Sequence, residues 1–133
     1  MDNVLVNYKI VKDRLTKSEM RQFKERLQME PVEGALEAFK ELELHFDVYV
    51  LCTAPWESEK VWSDKTHWVK TNLGDQAHKR LVLKRQKNIN YGDFMVDDQK
   101  KYGVKDFKGE HIYFGRARFK TWKSVLRYLL ANK

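Results

Sequence analysis

Apolar positions along this chain alternate between helical stripes and short β-rich runs. Thr16, with Glu19 three residues on, makes a capping-box pattern, and Met20, Phe23 and Leu27 follow at helical spacing. These predict a helix over 16–29. Pro31 and Gly34 punctuate the chain, and Ala35, Leu36, Phe39, Leu42 and Phe46 then resume the helical period, predicting a second helix that ends near His45. Residues 47–53 are mostly apolar and β-rich, which suits a strand covered on both faces, and Ala54 and Pro55 stop it. A helix is predicted over 59–73, with Val61, Trp62, Trp68, Val69 and Leu73 inward and Gly74 as its stop. Short strands follow over 80–84, 93–97 and 110–114, centred on Val82, Met95 and Ile112. A closing helix over 121–130 turns Trp122, Val125, Leu126, Leu129 and Leu130 inward.

Strands alternating with helices imply right-handed crossovers and a mainly parallel sheet with helices on both faces. In such sheets ligands sit beyond the carboxyl ends of the strands. That rule gathers Thr53, the stretch from Lys84 to Lys87, and Asp97 with Asp98 at one edge. A hydroxyl, ammonium groups and a carboxylate pair therefore meet there. The chain has 133 residues, with no repeat, linker or low-complexity segment, so a single domain over 1–133 is expected.

Composition narrows the setting. Apolar residues make up 42%, enough for a core, and no apolar run reaches membrane-spanning length. Cys52 is the single cysteine, which excludes an internal disulfide and fits a reducing, cytoplasmic compartment. The net charge of +7 is uneven: residues 100–133 carry 10 Lys/Arg against 2 Asp/Glu. That basic third is read first as a solvated face, and nucleic acid is a possible but less favoured partner, because no nucleic-acid motif accompanies it.

Asp97 and Asp98 carry the strongest chemical signal. Adjacent carboxylates after a buried strand repel each other, and a hard cation relieves that cost. Mg²⁺ is held by one or two carboxylates with water and substrate phosphate. The plain alternative is a solvated turn. Thr53, followed by Ala54, offers a hydroxyl and turn N–H groups to a phosphate, or is simply a strand-end threonine. Lys87 offers a point charge, or is one surface lysine among 26 Lys/Arg. Trp56, in a loop beside this edge, can stack weakly on a base or pack on the surface. Trp62, Trp68 and Trp122 have helical spacing and read as core, Cys52 reads as a small buried hydrophobe, and the four histidines show no close metal-ligand spacing.

In order along the chain, these segments resemble the bacterial 5′(3′)-deoxyribonucleotidase family of the HAD superfamily. The resemblance covers nearly the whole chain. Met1 to Val6 is similar to the second half of the family's first motif. Met29 to Pro31 with Gly34 and Ala35 is similar to the segment that re-enters the core from a cap. Leu51 to Trp56 resembles the second motif, Lys87 stands where the third-motif lysine belongs, and Gly92 to Asp98 resembles the acidic fourth motif. Gly109 to Gly115 and Trp122 are similar to the family's C-terminal stretch.

The resemblance implies an HAD-like three-layer α/β/α fold with a mainly parallel sheet and a very small helical cap over 8–30. It implies a Mg²⁺-dependent phosphohydrolase that dephosphorylates (deoxy)nucleoside monophosphates through a phosphoaspartate, as a monomer or homodimer. By that resemblance Asp2 is the general acid/base and lends its carbonyl to the metal. Thr53 and Ala54 bind phosphate, Lys87 neutralises it, and Asp98 binds Mg²⁺ with Asp97 in support. The attacking aspartate would precede Met1, so most of the first central strand is expected to be missing. Gln99 and Asn7 also depart from the pattern, standing where an arginine and an acidic residue are common. The alternative expectation is a non-catalytic module that binds nucleotide, phosphate or nucleic acid without turnover.

Overall fold

A computed structural model describes residues 1–7, 16–18 and 29–133. The helix expected over 16–29 and the cap over 8–30 fall mainly outside these residues. From Gly34 onward the apolar periods become elements close to those expected. Helix α1, Ala35–Glu43, buries Ala35, Ala38, Phe39 and Leu42, one face at helical spacing. Strand β1, Val50–Cys52, is shorter than the apolar run that contains it. Helix α2, Glu59–Leu73, begins where the Ser58 hydroxyl accepts the N–H of Val61 (3.4 Å). It ends at Gly74, whose φ of 59° is a conformation side chains resist.

Strands β2 (Leu81–Leu83), β3 (Phe94–Asp97) and β4 (Glu110–Tyr113) follow. Helix α3, Trp122–Ala131, opens on Thr121, whose hydroxyl accepts the N–H of Ser124 while the Ser124 hydroxyl accepts the N–H of Thr121. Serine completes that box where glutamate or glutamine usually does. Trp62, Leu126 and Leu130, expected inward, are half-buried, because the faces of α2 and α3 are broader than their covered seams.

The fold is mixed α/β, and both strand pairings are parallel. Val50, Leu51 and Cys52 lie opposite Leu81, Val82 and Leu83. Phe94 to Asp97 lie opposite Glu110 to Tyr113. Among the described residues the two pairs do not hydrogen-bond to each other. A largely apolar cavity of about 590 Å³ lies between them. Val48 to Leu51 line one side of it and Phe94 to Asp97 the other, with Phe39 and Leu42 of α1 and Trp122 and Leu129 of α3 also in its wall. β1 and β3 thus each turn a second, unpaired edge toward one slot.

Residues 1–6 form a buried turn beside this slot rather than a strand. The N–H groups of Val4, Leu5 and Val6 all point to the Met1 carbonyl (3.3, 2.8 and 3.2 Å). Val32 N–H donates to Leu5 (2.7 Å) and Asn7 N–H to Glu30 (2.9 Å), so the segment around Pro31 runs antiparallel to Val6. Two buried indoles then lock this corner. Trp122 Nε1 donates to the Val4 carbonyl (2.7 Å), and Trp68 Nε1 to the Met29 carbonyl (2.8 Å). Gly109 is required at the start of β4, because a Cβ there would lie 2.3 Å from the Gly92 carbonyl oxygen.

The Trp122 contact makes a direct prediction. Trp122→Phe keeps most of the ring volume but leaves the buried Val4 carbonyl without its donor. Urea unfolding should show a loss of about 1–3 kcal/mol. An unchanged midpoint would mean that the residue 1–6 turn does not depend on this bond.

Candidate functional site

The site is built on the carboxyl ends of the parallel strands. Asp97, the last residue of β3, is buried, and so is Lys87, in the 3₁₀ turn Lys87–Ile89 after β2. Their side chains form a direct ion pair. Lys87 also donates its backbone N–H to the Tyr102 carbonyl (2.8 Å), which ties the loop after β2 to the loop after β3. Asp97 is fully engaged, since its other carboxylate oxygen accepts the N–H of Gln99 (2.9 Å). Two charges this deep are tolerable only as a pair, because each alone would carry its full desolvation cost.

Asp98 is half-buried and differently placed. Burial, and then the negative charge of Asp97, push its carboxyl pKa up from the usual value. A side-chain hydrogen bond from Asn3 works the other way and brings residues 2 and 3 to the end of β3. On the other side of the slot, Thr53 follows β1 directly, and Ala54 stands half-buried behind it.

Lys65, on α2, connects Thr53 to Asp2, and the sequence reading did not single it out. It is only 7% exposed. Its ammonium donates to the Thr53 carbonyl and pairs with Asp2 Oδ2 (3.4 Å). A signal was present: Lys65 lies three residues after Trp62 and three before Trp68, on the apolar stripe of an amphipathic helix. A lysine there must find an anion or bury an unpaired charge.

The structure therefore links Asp2 with Thr53 through Lys65, Lys87 with Asp97, and Asp98 with the chain beside Asp2. Trp56 stands apart. It is 85% exposed, with its ring edge-on to Trp62 at 6.5 Å. Cys52 is buried in β1, and burial raises its thiol pKa. Of the histidines, His111 turns Nε2 to the Asp97 carbonyl (3.0 Å).

The donor set fits a hard cation of modest demand. Asp2 Oδ1 is buried and lacks a hydrogen-bond partner, and the Asp98 carboxylate has one face toward the same edge. Among the described residues no group of three or more His, Cys, Asp or Glu side chains could hold a metal. One or two carboxylates suffice for Mg²⁺, which keeps water and takes substrate phosphate as further ligands.

Comparison with known proteins agrees with this arrangement. The family model described as 5′ nucleotidase, deoxy (pyrimidine), cytosolic type C protein matches residues 9–128. A putative 5′(3′)-deoxyribonucleotidase of Vibrio phage KVP40 is 43% identical over 140 residues, spanning 99% of this chain and 82% of that protein. A putative 5′(3′)-deoxyribonucleotidase of Bordetella parapertussis is 32% identical, across 72% of this chain and 59% of that protein. The human cytosolic-type 5′(3′)-deoxyribonucleotidase is 31% identical, across 80% of this chain and 61% of that protein.

Two measurements check the geometry. Lys87→Met leaves Asp97 buried and uncompensated, and should cost about 3–5 kcal/mol in denaturant unfolding. Adding Asp97→Leu should recover most of that loss, whereas no recovery would mean that the pair is not coupled. Cys52 should resist iodoacetamide at pH 8 in the native state and react at once in denaturant, because its thiolate is disfavoured and covered. Fast native alkylation would contradict the placement of β1.

Proposed function

The chain belongs to the 5′ nucleotidase, deoxy (pyrimidine), cytosolic type C family, and on that premise we propose that it is a Mg²⁺-dependent phosphohydrolase of (deoxy)nucleoside monophosphates. The observation that carries this reading is the gathering of Thr53, Lys87, Asp97, Asp98 and Asp2 at one edge of parallel strands. Such an edge is where an open α/β sheet takes its ligand. The relatives named 5′(3′)-deoxyribonucleotidase support the substrate class.

Each side chain then has a role. Thr53 and the N–H groups after it, beginning with Ala54, hold phosphoryl oxygens. Lys87, kept in place by Asp97, sets a fixed positive charge against the phosphate. Asp98 and Asp2 hold Mg²⁺, which when bound screens the charge between anionic groups and orients the phosphate. Asp2 also moves the proton. Its Oδ1 is unpartnered while Oδ2 faces Lys65, so one oxygen is free to give a proton to the leaving nucleoside and later take one from water. Trp56 lies on the loop where a base would leave the site, and weak stacking there is part of the proposal.

The attacking carboxylate belongs at the mouth of the slot, between Thr53 and Asp97. Among the described residues the carboxylates nearby are already engaged: Asp2 with Lys65, Asp97 with Lys87, Asp98 with Asn3. That observation supports a second reading, in which the site binds nucleotide or phosphate without turnover.

Phosphate release from dUMP tests the first reading. Release should require Mg²⁺, and Asp98→Asn should lower it by about 100-fold. Activity unchanged by Asp98→Asn would overturn the metal assignment. Saturable dUMP binding with no phosphate released would instead uphold the second reading.

A further inference from the structure

The positive charge outside the phosphate site is larger than one nucleotide needs. We propose that the loops following β2, β3 and β4 form a surface for single-stranded nucleic acid. Arg85, Lys100, Lys101 and Arg116 are exposed on these loops. All three loops leave the carboxyl ends of parallel strands, so their cations share one edge. The carboxylates of that edge, Asp97 and Asp98, are buried or half-buried and engaged inward, which leaves the rim positive.

The cations are interleaved with aromatic rings. The Arg85 guanidinium lies 5.4 Å from the Tyr102 ring centroid. Lys100 and Arg116 both approach Tyr113, at 5.3 and 5.7 Å. Tyr102 is itself 43% exposed. Cations that follow a phosphodiester backbone, with rings on which bases stack, are what sequence-tolerant single-strand binding requires. A plain solvated basic face needs no such pairing of rings with cations. The basic side chains of α3, Lys123 and Arg127, are also exposed but belong to a helix rather than these loops.

The test is fluorescence anisotropy of a labelled single-stranded oligothymidylate with the full chain, read between about 50 and 200 mM salt. About four phosphate contacts give a log–log salt slope near −3. Lys100→Ala with Arg116→Ala should reduce the slope by about one unit, and Lys100→Arg with Arg116→Lys should keep it. Lys123→Ala with Arg127→Ala removes the same charge from α3 and should leave binding intact. No binding at low salt overturns the proposal. Equal losses in the loop and helix variants also overturn it, since net charge alone would then explain the affinity. Tighter binding to duplex than to single strand overturns the single-strand assignment. The assay needs no turnover, so a chain that binds the oligomer but releases no phosphate from dUMP upholds this surface while failing the hydrolase reading.

Discussion

Lys87 and Asp97 form one buried ion pair across the ends of two separate strand pairs, and the site is organised around it. Burying two charges costs several kcal/mol per ion before their attraction is counted, so such pairs add little net stability. What the pair does supply is position. It fixes an ammonium at the carboxyl edge of β3, joins the loop after β2 to the end of that strand, and leaves Asp98 as the carboxylate still open to a cation. Lys65 repeats the device on the other side, where it ties Asp2 to the end of β1. Two buried lysines thus hold two carboxylates in place, and the phosphate site lies between them.

The slot between β1 and β3 is the second constraint. Parallel strands are normally paired on both sides inside a sheet covered by helices. Here α1 and α3 help wall a largely apolar space lined by unpaired edges of β1 and β3, and the turn of residues 1–6 lies beside it. The slot has the chemistry of a strand position: backbone groups on two sides and apolar walls on the others. Its mouth opens between Thr53 and Asp97, so a residue held there would face the same phosphate as Lys87.

Much of this was legible in the sequence, for identifiable reasons. Long periodic segments gave α2 its full span, because Ser58 and Gly74 are strong local stops. The short apolar runs revealed β1 to β4, though each strand is trimmed to the residues that find a partner. The carboxyl-end rule placed Thr53, Lys87 and the Asp97–Asp98 pair on one edge before any geometry was known. Lys65 escaped because its charge was weighed as helix surface rather than as an exception on an apolar stripe. The division of labour between Asp97 and Asp98 escaped too, since adjacency in sequence does not say which carboxylate turns inward. The slot depends on tertiary pairing, which no local pattern encodes.

The measurement that tests this account most directly compares two forms in one assay of Mg²⁺-dependent phosphate release from dUMP. One is the chain as it stands. The other carries, ahead of Met1, an apolar strand ending in aspartate. The account predicts that the added strand enters the slot, places its carboxylate at the mouth, and raises turnover by orders of magnitude. Equal turnover by both forms would mean that a residue already present attacks the phosphorus, and would contradict the roles given to Asp2 and to the slot.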